Sequence, residues 1–169
     1  MHDVEQLMRA YRSRATASVS SKLDVLMDVE RLRDPRIVPF LLQVLRDQDE
    51  PMEVRIHVLK RLRNGRLASE ERRRVARAMT QVLSDHSSPG LQLQAALALG
   101  GFVDVAGVTT ALGRLALYAD ESLDLRYSAF TALERAGPTS ECVALMRQLA
   151  TDEALGRSAR SVISAWHRD

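Results

Sequence analysis

Apolar side chains return along this chain every third or fourth position, with few interruptions. Val4, Leu7, Met8 and Tyr11 follow the i, i+3, i+4, i+7 spacing of one helical face. Val25, Val29 and Leu32 repeat it after Ser20 and Ser21, and Ile37, Leu41, Val44 and Leu45 form the next stripe. Further stripes are Val54, Val58 and Leu62; Val75, Met79, Val82 and Leu83; and Val105, Val108, Leu112 and Leu115. Leu125, Ala129, Ala132 and Leu133 follow, then Cys142, Leu145, Met146 and Leu149, then Leu155, Ala159, Val162, Ile163 and Trp166. No stretch alternates with period two for long enough to predict a strand.

Punctuation falls between the stripes. Asp34-Pro35, Glu50-Pro51, Ser88-Pro89 and Gly137-Pro138 each place a proline at or near a first helical turn, where its missing N–H costs nothing. Ser69 and Asp104 are expected N-caps, and Asn64-Gly65 and Gly137 expected helix stops. Linkers of a few residues make consecutive helices antiparallel neighbours. The helices also repeat as pairs: Gln43-Val44-Leu45 returns as Gln81-Val82-Leu83. The residue that anchors the second helix of each pair is placed at Val54, Leu93, Leu125 and Leu155, in steps of 39, 32 and 30 residues. Such a period is that of stacked helical hairpins.

The segment IVPFLLQVLRDQDEPMEVRIHVLKRL, Ile37 to Leu62, resembles a HEAT repeat, including the shorter relatives found in phycobilisome lyases. Pro39, Asp47, Val54 and Arg55 stand at the positions that carry the resemblance, and Asp120, Leu125 and Arg126 repeat it. The second pair has Asp85 but Gln94 where arginine is expected, and the fourth has Asp152 but Gly156. The resemblance implies an all-α fold, an α-α superhelix of about four HEAT-like hairpins over residues 34–167, behind an N-terminal helical cap over 1–33 (helices 3–14 and 21–33). It further implies that the Asp and Arg are structural, tying one repeat to the next, with Asp47 directed toward the next turn. Pro39, read as lying inside its helix, is expected to bend it.

Second helices line the concave face of such a solenoid. Counting from the four anchors puts Glu53, Ile56, His57 and Lys60 on that face, then Gln92, Ala95, Ala96 and Leu99. Asp124, Tyr127, Ser128 and Thr131 follow, then Ala154, Arg157, Ser158 and Ser161. Ile56, His57, Lys60, Leu99, Tyr127 and Thr131 are the expected partner-binding residues, with Ile56, Leu99 and Tyr127 as an exposed apolar patch for a helix or peptide.

Composition adds limits. The chain has 169 residues, 46% apolar and 27% charged, with 8 Gly and 5 Pro, a balance that favours a folded helical domain over disorder or sheet. It is expected to be a single domain over 1–169. One cysteine, Cys142, excludes an internal disulfide framework and a multi-cysteine zinc site; its stripe predicts a buried thiol. No apolar run approaches the roughly 20 residues a membrane span needs, and no secretory leader is visible, so a cytoplasmic protein is expected. Of 24 basic residues 22 are Arg, a bias read as the mark of a GC-rich, bacterial genome.

The net charge is +2, but nine Lys or Arg between Arg55 and Arg77 face only Glu70 and Glu71. Arg72, Arg73, Arg74 and Arg77 are therefore candidate phosphate ligands, and a nucleic-acid role is the alternative reading. Aromatics at 4% are few for base stacking. His2, His57, His86 and His167 show no metal-ligand spacing, no glycine-rich phosphate loop exists, and no nucleophile has a base in a known motif. No cofactor or metal is expected. Trp166 either seals the last layer or marks an interface. The expectation is a non-enzymatic scaffold or adaptor that binds a protein or peptide on its concave face; a subunit of a lyase-type enzyme complex is a further alternative.

Overall fold

The computed structural model describes residues 3–13 and 18–168. His2 and the last residue of the helix expected over 3–14 lie outside the described residues. Ten α-helices and one 3-10 turn, and no strand, are present among the described residues. They are α1 (Val4–Arg12), α2 (Val19–Glu30), α3 (Ile37–Arg46), α4 (Met52–Asn64), α5 (Ser69–Val82), α6 (Pro89–Leu99), α7 (Val108–Leu117), α8 (Leu123–Ala136), α9 (Ser140–Leu149) and α10 (Gly156–Arg168), with the 3-10 turn at Gly100–Phe102 after α6. The fold is an all-α assembly of HEAT-like helical hairpins. It divides into two compact units, Met1–Glu71 and Arg72–Asp169, the division falling in the first turn of α5.

In the first unit α1 packs on α2, α3 on α4, and α2 on α4. Asp3 begins α1 through a capping box with Gln6, and Val4, Leu7, Met8 and Tyr11 are all buried, so the first stripe does what its spacing predicts. The Tyr11 ring meets the Phe40 ring edge-on at 5.5 Å. Its hydroxyl donates to Glu50 Oε2 at 2.5 Å, and the same carboxylate receives the buried Lys22 ammonium at 3.1 Å. This charge-assisted knot joins α1 and α2 to the α3–α4 turn. Burial first, and then the Glu50 carboxylate, push the Tyr11 phenol well above its ordinary range, so it remains a donor.

Pro39 does not act as expected. It occupies the third position of α3, within the first turn, whose N–H groups have no intrahelical acceptor in any helix. The first bond of that helix runs from Phe40 N to Arg36 O, so no bond is removed and the reason for a bend disappears.

In the second unit α6 packs on α8, α7 on α8 and α9, and α9 on α10. Pro89 opens α6 at a position suited to its fixed φ. Thr139 caps α9 by accepting from Cys142 N, and Cys142 itself is buried, as its stripe predicts. Gly107 precedes α7 with φ of 90°, and Gly137 stops α8 with φ of 90°. Both conformations favour glycine. The expected cap at Asp104 is displaced: α7 begins four residues later, and the Asp104 carboxylate pairs with Arg72 at 2.6 Å.

A ladder of polar side chains sets the register of the second helices. Arg55 Nε on α4 donates to Leu45 O at 2.8 Å, and Gln92 Nε2 on α6 donates to Leu83 O at 2.8 Å. Arg126 Nε on α8 donates to Ala116 O at 2.9 Å, and Arg160 on α10 donates to Ala150 O at 2.6 Å. In each hairpin the second helix thus satisfies a carbonyl at the C-terminal end of the first, where helices leave acceptors without partners. The tie positions 55, 92, 126 and 160 are 37, 34 and 34 residues apart. This is more regular than the spacing of the expected anchors. The second-pair anchor is Leu91, not Leu93, and Gln92 rather than Gln94 replaces the arginine; in the fourth pair Arg160 takes that place, not Gly156.

Asp47 also departs from expectation. Its carboxylate accepts Asp49 N within its own turn at 2.9 Å. The link between repeats is made in the second unit by Arg126, whose Nη2 reaches Asp152 Oδ1 at 2.6 Å in the turn before α10. The other Asp152 oxygen accepts Ala154 N and Leu155 N, both at 2.9 Å. The bond from Leu155 N first, with that from the Arg126 guanidinium, holds the Asp152 carboxyl below its ordinary range despite partial burial.

Candidate functional site

Two places beyond the anchor that precedes each tie stand Ile56, Leu93, Tyr127 and Ser161, the first two half-buried and the last two exposed. In the second unit Leu93 on α6 and Tyr127 on α8 line one open groove, joined by Leu123 and Asp124 at the start of α8 and by Ala154, Leu155 and Ser158 around the start of α10. Its volume is about 460 Å³. Leu123 and Tyr127 are 55% and 52% exposed. The Tyr127 ring stacks against Phe130, centroids 5.9 Å apart and planes 24° apart. Phe130 is buried, so one side of the Tyr127 ring rests on the core.

Leu99 is not part of this surface. It is fully buried, one of the largest side chains in the core of the second unit. The two-residue slip in anchor, from Leu91 to Leu93, rotated the expected face by about 200° at 100° per residue, so that Ala95 and Leu99 were placed where Leu93 and Leu97 stand. Gln92, Ala95 and Ala96, expected on the same face, are buried as well. Tyr127 stays where it was expected. Thr131, one turn along, is half-buried and donates its hydroxyl to Tyr127 O.

Ile56, His57 and Lys60 belong to the first unit. Ile56 is half-buried and Lys60 exposed. His57 Nε2 lies 2.7 Å from Glu30 Oε1, a contact that ties α4 to α2, and Arg61 reaches the Glu30 carbonyl. His57 is thus engaged within its own unit.

Arg72 is likewise committed. Its Nη2 donates to Gly101 O at 2.9 Å and to Asp104 at 2.6 Å, and its guanidinium lies 4.7 Å from the Phe102 ring centroid. These contacts fasten α5 to the 3-10 turn after α6, and the Arg72 guanidinium holds Asp104 below the ordinary carboxylate range. Arg72 is thus engaged within the second unit, with its side chain 30% exposed. Arg73, Arg74 and Arg77 are exposed on α5. Arg55, counted in the same basic run, is buried in the first unit.

The groove offers recognition chemistry. Its hydroxyls are those of Tyr127, Ser128 and Ser158. Ser128 donates to Asp124 O one turn back, an ordinary helix bond rather than the base-facing geometry of a nucleophile. Among the described residues no group of three or more His, Cys, Asp or Glu side chains could hold a metal ion. No described helix is long and apolar enough to cross a membrane. Trp166 is half-buried.

No family model matches the chain, and no curated protein does. Among solved structures it is similar to human deoxyhypusine hydroxylase in complex with glycerol, at 16% identity and a TM-score of 0.62. The match covers 99% of this chain, which spans 64% of the length of that structure. This corrects the expectation of a non-enzymatic scaffold: a protein with this helical arrangement is an enzyme, so the architecture gives no ground for excluding catalysis. At this identity the likeness carries the fold and not the reaction. What the comparison shows is a solenoid of HEAT-like helical hairpins.

Proposed function

We propose that the groove on α6, α8 and α10 is a recognition site for a polypeptide segment of another protein. The observation that carries this reading is the joint placement of Leu93, Leu123 and Tyr127 around one open groove. Small-molecule sites enclose most of their ligand, whereas this groove leaves Leu123 and Tyr127 more than half exposed. A polypeptide laid across it would cover them. Phosphates are disfavoured, because Asp124 is the charged side chain among the residues that line it. The reading assigns recognition to this groove.

The stacked ring of Tyr127 supports tight binding, since an ordered tyrosine loses little entropy when covered. Completing the burial of Tyr127 and Leu123 would contribute about 1 kcal/mol each, half the value for burying such a side chain entirely. The test is a selection of random peptides displayed on phage against the full chain. Recovery that depends on Tyr127, and is lost in Tyr127→Ala at unchanged helicity, is the expected result. Recovery indifferent to Tyr127→Ala would refute the site.

A further inference from the structure

The surroundings of the groove specify the charge of its occupant. A second groove adjoins it, the two sharing Leu123 and Ala154 as a common border of the trough. The residues lining the pair include four carboxylates, Glu121, Asp124, Asp152 and Glu153, and one cation, Arg126. Arg126 is 4% exposed and committed to Ala116 O and Asp152. That pair cancels, and Asp152 spends its remaining oxygen on two backbone N–H groups. Three carboxylates remain without a cation among the lining residues. Glu121 accepts one bond, from Ser122 N, and Asp124 and Glu153 are exposed.

Asp124 also stands three residues before Tyr127 on α8, which places carboxylate and ring on neighbouring turns of one face. An exposed tyrosine ring beside a carboxylate is suited to a cationic side chain: the ring face attracts the charge and the carboxylate pairs with it. Leu93 and Leu155 supply an apolar floor next to that corner.

Resting on the groove reading above, we propose that the segment this trough takes is cationic, with an arginine or lysine placed close to an apolar anchor residue. The anchor sits over Leu93 and Leu155. The cation sits between the Tyr127 ring and Asp124, and further basic residues face Glu121 and Glu153. An acidic segment would meet like charge at each of these positions.

The composition of peptides selected by the full chain tests this. Enrichment of Arg or Lys within a few residues of an aliphatic or aromatic residue is expected, and the enrichment should vanish in a parallel selection against the Asp124→Asn, Glu121→Gln, Glu153→Gln variant. A synthetic peptide from the first pool should lose about tenfold in affinity to Asp124→Asn and little to Glu134→Gln, which removes an exposed charge far along α8. Spermine, a cation with no peptide backbone, should compete only weakly. Tyr127-dependent recovery of neutral or acidic peptides would overturn the charge assignment and leave the groove standing. Equal losses in Asp124→Asn and Glu134→Gln, or full competition by spermine, would reduce the effect to net charge and also overturn it. Recovery independent of Tyr127, or no recovery, would overturn both readings.

Discussion

Arg126 on α8 and Asp152 in the turn before α10 meet at 2.6 Å, with side chains 5% and 16% exposed. A guanidinium this buried is tolerated because each face of it is answered, by Ala116 O on its own hairpin and by Asp152 on the next. Removing the carboxylate leaves a buried charge half-satisfied; removing the arginine leaves a carbonyl and a carboxylate without their donor. Arg126→Ala is expected to destabilise the second unit by about 3 kcal/mol and Asp152→Asn by about 1–2 kcal/mol. Urea unfolding followed by circular dichroism measures both. Losses below about 0.5 kcal/mol for both would show that the tie is incidental.

The same carboxyl gives a pH dependence with a definite sign. Asp152 is held below its unfolded pKa, chiefly by the bond from Leu155 N and also by Arg126. Its contribution is fully present above the unfolded value of about 4 and disappears as pH falls through the lower folded value. Stability of the wild-type chain should therefore decline below about pH 4, and Asp152→Asn should decline less steeply. Melting temperatures measured from pH 6 down to pH 3 would show the difference. Parallel profiles would contradict it.

The register rests on Gln92. Its amide is buried and answers Leu83 O, so Gln92→Ala leaves an unpaired carbonyl and should cost about 1–2 kcal/mol. Gln94, the residue the sequence pattern favours for this position, is half-buried, and Gln94→Ala should stay within about 0.5 kcal/mol. A reversed order of the two losses in chemical denaturation would restore the register anchored on Leu93.

Much of the fold was legible because helical periodicity is redundant. A stripe such as Val4, Leu7, Met8 and Tyr11 gives four separate indications of one buried face. The register of α6 was not, because Leu91-Gln92-Leu93-Gln94 offers the same dipeptide twice and only Ala and Leu follow it in the helix. Either glutamine fits the local pattern. Only the carbonyl of Leu83, a tertiary partner, distinguishes them, although the 34-residue step back from Arg126 was a usable signal. Leu99 was misplaced for the same reason, and Leu93 was missed with it. Arg72 and Asp104 illustrate a different limit: two charges 32 positions apart pair only once the chain turns after α6. The exposure of Tyr127 was legible because the third hairpin keeps both Asp and Arg of the repeat pattern, which fixed the register of α8.

Gly137 is a backbone test independent of packing. Its φ of 90° with ψ of −179° lies where only glycine is at ease, and an added Cβ would meet nothing within 4 Å. Gly137→Ala should lose about 1–3 kcal/mol through conformation alone. Gly101→Ala, also free of close neighbours but with an ordinary φ, should be close to neutral. Equal effects on the melting temperature would contradict this account of how α8 stops.

Affinity measured by fluorescence anisotropy on a peptide selected by the full chain tests most directly whether Tyr127 belongs to a recognition groove. Tyr118, 56% exposed but outside the groove lining, is the matched control. The account predicts that Tyr127→Ala raises Kd at least about tenfold, equivalent to about 1.4 kcal/mol, while Tyr118→Ala leaves it unchanged and both keep wild-type helicity. An unchanged Kd in Tyr127→Ala would contradict it.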